Sequence, residues 1–244
     1  MDPDGRGGYR GWSERLAVRI AVAQGGLRYA NLAVRGTTTR EIREGQLARA
    51  VALEPDLATV FSGTNDVMRA RFDPVAFAAD VLAMQHALRG CGAIVLTFTL
   101  PDLSPLLPIA RLFAARIRAM NDAVRAACAE TGTRLVDFAR WPVATDARLW
   151  NPDRIHANPA GHARIADALA EALGLAGASG AWRESLPALP RPRAAATVGR
   201  ELGWAWRYLL PACCGALLPR RARSPSPGKR PGLAEVERPR TPEA

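Results

Sequence analysis

The chain has 244 residues and a hydrophobic share of 48%, enough to fill one medium core, so disorder along its whole length is excluded. Its net charge is +10, and all but one of the 33 basic residues are arginine, Lys229 being the exception; so uniform a bias reads as the mark of a GC-rich genome, not of 32 selected contacts. The charge is uneven, with 12 basic and 5 acidic residues between Gly180 and Ala244, or +7, against +3 for the first 179.

Residues 1–8 are polar and turn-forming and have no apolar stretch of signal-peptide type. Ser13 is placed to cap a first helix, with Glu14 in its first turn and Leu16, Val18 and Ile20 as its apolar positions. Leu27 to Ala33 reads as a short strand. A second helix starts at Thr38 or Thr39, carries Ile42, Leu47 and Val51, and is ended near Glu54 by Pro55. Leu57 to Phe61 is the next strand. Asp73-Pro74 pairs a capping carboxylate with proline at the first helical position and opens a helix that stops at Gly90. Ala93 to Phe98 is a continuous apolar run, as expected of a strand covered on both faces. A loop from Leu100 to Pro108 leads to a long helix ending near Thr131-Gly132, and Arg134 to Phe138 is the last strand expected. Asn158-Pro159 repeats the cap-plus-proline start for a helix carrying Ile165, Leu169 and Leu173.

Helices alternating with short apolar strands imply βαβ crossovers and a parallel sheet wrapped on both faces, with ligands bound beyond the strands' carboxyl ends. Residues 1–175 form this domain. Residues 176–197 read as a linker and 198–218, with Trp204, Trp206 and Tyr208, as an amphipathic helical segment interrupted at Pro211. That segment either docks on the domain or touches a membrane surface weakly, and its apolar side favours docking. It falls short of the ~20 apolar residues a spanning helix needs, so cytoplasmic residence is the expectation. Residues 219–244, rich in Arg, Pro and Ser, are expected to be a disordered basic tail. With no recognisable nucleic-acid module, nucleic acid is not an expected partner. Cys91, Cys128 and Cys213-Cys214 lack metal-ligand or disulfide-framework spacing, so no metal is expected.

Two motifs carry the chemistry. Gly63-Thr64-Asn65-Asp66 sets an amide side chain just past the Leu57–Phe61 strand, and Asp153-Arg154-Ile155-His156 sets a carboxylate three residues before an imidazole, ahead of a helix start. An imidazole is a proton shuttle near neutral pH, and a neighbouring carboxylate fixes its tautomer. Without such a neighbour, a lone loop histidine would be read as surface decoration. His162, in the first turn of the last helix, reads as packing or capping, and Asp66 as a bond to loop backbone.

Together these motifs resemble the Asn block and the Asp-x-x-His block of the SGNH (GDSL-type) serine ester hydrolases, and Gly36, following Asn31 to Arg35, resembles that family's glycine block. The resemblance runs from about Gly8 to Leu175. It implies a three-layer α/β sandwich with a flavodoxin-like parallel sheet and acyl hydrolysis through a serine acyl-enzyme. His156 would be the base, Asp153 its orienting group, and Gly36 and Asn65 the oxyanion donors. No cofactor is implied, and the substrate would be a small acyl ester or thioester.

The family's Gly-Asp-Ser block occurs nowhere in these residues, so no nucleophile is assigned. None of Ser13, Ser62, Ser104, Ser179, Ser185, Ser224 and Ser226 follows Gly-Asp or sits in Gly-x-Ser-x-Gly. Ser62, beside the Asn block, is a poor stand-in. Gly7 to Trp12 resembles the stretch that follows the serine block, which places the family's first strand and its serine ahead of Met1. The sheet is then expected to miss its first strand, and a start site taken too late is the preferred explanation. The alternative is a catalytically inactive binding protein held to a membrane or a partner by its basic C-terminal segment.

Overall fold

The computed structural model describes residues 10–188, 199, 203–209 and 228–237. Eleven regular elements order the described chain: α1 Trp12–Gln24, β1 Arg28–Asn31, α2 Thr39–Ala52, β2 Leu57–Thr59, α3 Thr64–Val67, α4 Pro74–Gly90, β3 Ile94–Phe98, α5 Ala114–Thr131, β4 Arg134–Val136, α6 Pro159–Leu173 and β5 Arg230–Glu235.

Local chemistry explains most helix ends. Thr38 caps α2 through a reciprocal box, its hydroxyl accepting from Glu41 N while Glu41 accepts from Thr38 N. Asp73 accepts from Val75 N and Ala76 N at the start of α4, and Asn158 accepts from Gly161 N at the start of α6. Helix α5 ends on Gly132 in the left-handed region. At α1 the expected cap is corrected. The cap lies two residues earlier, on Gly11, with the helix beginning at Trp12, and the Ser13 hydroxyl instead accepts from the Tyr29 hydroxyl at 3.0 Å.

Strands β2, β3 and β4 form a parallel sheet with β3 central, and the alternation of β3 side chains builds three layers. Leu96 and Phe98 point to the face covered by α1 and α6, where they pack with Leu16, Ile20 and Leu169. Val95 points the other way, against Leu88 of α4, with Leu47 and Val51 of α2 beside it. Helices α4 and α5 close that second face through Phe77, Val81, Met120 and Val124. This is the expected α/β sandwich, with Cys128 buried in it as a thiol whose pKa burial pushes up to about 11.

Strand β1 departs from expectation. It does not extend the parallel sheet but pairs antiparallel with β5, Arg28 opposite Glu235 and Tyr29 opposite Ala234, with an irregularity before Asn31 opposite Arg230. Backbone N–H and C=O groups of a strand need partners, and β5 supplies them. Lys229 pairs with Glu14 at 2.8 Å and Arg230 lies over the Tyr29 ring, tying this end of the chain to α1 and β1. Part of the stretch expected to be disordered is therefore ordered. Pro231 and Gly232 argue against a central strand, but an edge strand accepts both.

The linker boundary also moves. Gly180–Arg183 forms a 3-10 turn that buries Trp182 against Phe138, ring centroids 5.2 Å apart, while its Nε1 donates to Glu171 and Arg164 donates to the carbonyls of Trp182 and Glu184. The domain runs to at least Glu184. The last expected strand is shorter than predicted, since Phe138–Arg140 turns into a 3-10 segment after β4. In the 198–218 segment the described residues include a π-helical turn, Ala205–Leu209, preceded by Trp204, which packs on Leu103, Leu107 and Ala110.

Candidate active site

The Asp153–His156 segment is a closed hairpin turn. Asn151 N donates to His156 O and Arg154 N to Asn151 O, both at 2.8 Å, and Trp150 bridges Ala157. Inside the turn Asp153 is saturated: Oδ1 accepts from Ile155 N and His156 N at 3.0 Å, and Oδ2 lies 2.8 Å from His156 Nδ1. Partial burial pushes the Asp153 pKa up, but the two backbone donors and the imidazole outweigh it and hold the carboxyl below its ordinary value. An anionic acceptor at Nδ1 requires the proton on that nitrogen and leaves Nε2 as the basic site. The His156 ring is about half exposed, at 52%. The turn is seated on α6 by Asn158, whose Nδ2 donates to the carbonyls of Arg148 and Trp150.

The second motif is held as firmly. Gly63 has φ +105° and a Cβ there would lie 2.4 Å from Met120 Sδ, so both the backbone conformation and the close packing demand glycine. Asn65 Nδ2 donates to Thr37 O at 2.9 Å, which ties the amide to the loop containing Gly36, itself at φ +76°. Asp66, for which the sequence suggested no more than a loop bond, is the second tie. Both its carboxylate oxygens accept from Thr39 N, and Oδ2 also accepts from Thr39 Oγ1. Burial raises its pKa against those hydrogen bonds. Arg116 of α5 then gathers the carbonyls of Val67, Arg69 and Ala70 behind α3.

The two motifs approach across a cavity of about 220 Å³ lined by both His156 and Thr64. Its floor is aromatic: Trp12, Phe61, Phe98, Phe138 and Trp182 form a run of stacked and edge-on rings, Phe61 on Phe98 at 4.1 Å and Trp12 edge-on to Phe98 at 5.3 Å. Such a floor suits an apolar group, while the half-exposed imidazole stands at the solvent side of the cavity. The structure thus pairs Asp153 with His156 and joins Asn65 to the Gly36 loop. Gly36, Asn65 and Asp153 are not themselves among the residues lining the cavity, and no serine of the described residues is. Among the described residues no three His, Cys, Asp or Glu side chains cluster as metal ligands.

Sequence reasoning missed the aromatic floor, because its rings come from five separate segments. It also missed Gly161, where a Cβ would lie 2.2 Å from Leu149 O. The only signal for that glycine was its place one turn into a helix that follows a motif.

The family model for the GDSL-like Lipase/Acylhydrolase family matches residues 2–164. The chain belongs to that family. Members are ester hydrolases, and at this level the chain is an ester-hydrolase-family protein. Solved structures share the fold. The acylhydrolase-family chain is similar to TesA at 24% identity and a TM-score of 0.56, covering 67% of this chain and 87% of that one. It is similar to the psychrotrophic esterase EstA from Pseudoalteromonas sp. at 17% identity and TM-score 0.54, covering 67% and 86%. A mutant of Axe2, an acetyl-xylooligosaccharide esterase from Geobacillus stearothermophilus, gives 18% identity and TM-score 0.59, covering 73% and 87%. No curated protein sequence matches the chain. Among the described residues, no helix of this family member is long and apolar enough to cross a membrane.

Proposed function

We propose that this protein hydrolyses a small acyl ester through a serine acyl-enzyme, the serine being contributed by residues that precede Met1. The observation that carries the reading is the 2.8 Å contact of His156 Nδ1 with Asp153 at the mouth of a cavity that Thr64 of the Asn block also lines.

The serine hydroxyl attacks the ester carbonyl carbon while His156 Nε2 takes its proton. Asp153 holds the resulting imidazolium. The carbonyl oxygen becomes an oxyanion that accepts from the Gly36 backbone N–H and from Asn65. An amide carries two N–H groups and the bond to Thr37 O uses one, which leaves a second as the donor this reading assigns to the oxyanion. Collapse expels the alcohol, which leaves with the proton from His156. Water then attacks the acyl-enzyme by the same relay and frees the acid. Losing one oxyanion donor in such a site costs about 2.7–4 kcal/mol of transition-state stabilisation.

Two features support a serine and strand from upstream. No serine of the described residues lines the cavity, and β1 and β2 lie in different sheets. The test is turnover of a short p-nitrophenyl ester by the 244-residue chain and by a version extended through the upstream reading frame. Activity in the extended form alone supports the proposal. No activity in either form, with binding to anionic liposomes lost on deleting residues 198–244, favours a non-catalytic binder at a membrane surface.

A further inference from the structure

Among the described residues, Trp204, which lies outside the family-matched region, reaches the Asp–His turn. Trp204 Nε1 donates to Pro152 O at 2.8 Å, immediately before Asp153, and the Arg154 guanidinium lies 4.6 Å above the Trp204 ring, between Asp153 and His156. Arg154 needs holding. It has φ +61°, a left-handed conformation that side chains other than glycine rarely adopt, and its guanidinium also donates to Leu106 O at 3.0 Å. Trp204 in turn packs on the Leu103, Leu107 and Ala110 cluster, against which Trp150 also packs, and Trp150 lines the cavity with His156.

We infer that Trp204 is a positioning residue for the Asp153–His156 pair, and that the segment 203–209 is a strap across the turn that carries it. One indole grips the turn at two points, the carbonyl before the carboxylate and the cation after it, and anchors both to the 103–110 loop. The turn's internal hydrogen bonds fix its shape, while the strap fixes where that shape sits over the cavity. The strap adds the Trp204 hydrogen bond and ring contact to the bond from Arg154 to Leu106 O and to the Asn158 bonds that already seat the turn. The consequence for turnover rests on the hydrolase reading; the strap itself does not.

The experiment uses the full 244-residue chain with Trp204→Phe, which keeps a ring but removes the N–H, and Trp204→Ala, which removes both. The first readout is trypsin cleavage at Arg154–Ile155, quantified by mass spectrometry against cleavage after Arg125 in α5. The second is exchange of the His156 Nδ1 proton with water, followed by NMR. The strap predicts that cleavage at Arg154 and Nδ1 exchange both speed up about fivefold in Trp204→Phe and about tenfold or more in Trp204→Ala, with cleavage after Arg125 unchanged. Unchanged cleavage at Arg154 in both variants overturns the strap, as does an equal rise at Arg154 and Arg125, which is general unfolding. Where Trp204→Ala fails to fold, Trp204→Phe decides. A parent chain with no hydrogen-bonded Nδ1 proton would instead overturn the hydrolase reading, and cleavage at Arg154 would still decide the strap.

Discussion

Gly161→Ala isolates the contact that seats the Asp–His turn on α6. An ideal Cβ at 161 lies 2.2 Å from Leu149 O, 3.2 Å from Leu149 C and 3.1 Å from Ala157 Cβ, where ordinary contact begins at 3.4 Å. The pair must part by more than an ångström, and the nearest atom is backbone, not the tip of a flexible side chain. Leu149 O also accepts from Asn158 N at 3.0 Å, so pushing it away strains the cap of α6 as well. Two effects oppose each other. Alanine is the better helix former by about 1 kcal/mol, whereas forcing a methyl into a packed contact costs about 1–3 kcal/mol and loss of the Asn158 bond about 0.5–1.5 more. The net expectation is destabilisation on the order of 1–3 kcal/mol, or a Tm lower by about 2–4 °C for each kcal/mol at this size. Differential scanning calorimetry measures it, and the His156 ring resonances should shift with it. A variant melting at or above the parent would refute the reasoning, because helix propensity would then have won and the contact would be soft.

Three further outcomes are expected. Asp153→Asn should flatten the acid limb of stability: the folded-state pKa of Asp153 lies below its ordinary 3.8, so its contribution is present above that value and lost as pH falls through the folded one. Urea midpoints across pH 2–6 check this in parent and variant, and parallel curves would contradict it. Asp66 runs the other way. Burial raises its pKa, so the stability linked to its protonated form is present below 3.8 and lost as pH rises through the raised value; Asp66→Asn should gain on the parent as pH rises through that window in the same titration. Trp182→Ala removes a ring that is 4% exposed and packed edge-on against Phe138, and should cost about 3–5 kcal/mol in chemical denaturation, against a negligible loss if 176–197 were a mere linker.

The parts of this fold that were legible are those written in neighbouring residues. Thr38 with Glu41, Asp73 with Pro74, Asn158 with Pro159 and Gly132 each fix a helix end through bonds spanning a turn or less, so the reading of α2, α4, α6 and the end of α5 holds to within a residue or two, whereas the start of α5 is displaced to Ala114 by a 3-10 segment, Pro108–Phe113. The Asp153–His156 pair was legible for the same reason, three residues being enough for the carboxylate to reach both the backbone and the ring. What was illegible depends on distant partners. The pairing of Arg28–Asn31 with Arg230–Glu235 joins segments about 200 residues apart, and nothing in Pro231-Gly232 advertises a strand. Trp182 sat in a stretch of small residues whose composition hid a core anchor. Asn65 reaching Thr37, Asp66 reaching Thr39 and Trp204 reaching Pro152 are tertiary contacts with no periodic trace.

The most direct test of the hydrolase account is burst-phase hydrolysis of a p-nitrophenyl ester by the upstream-extended protein, with and without His156→Ala. The account predicts a stoichiometric burst of nitrophenolate followed by steady turnover, both falling by several orders of magnitude in the variant. Equal rates with and without the imidazole, or no burst and no turnover from an extended protein shown to be folded, would contradict it.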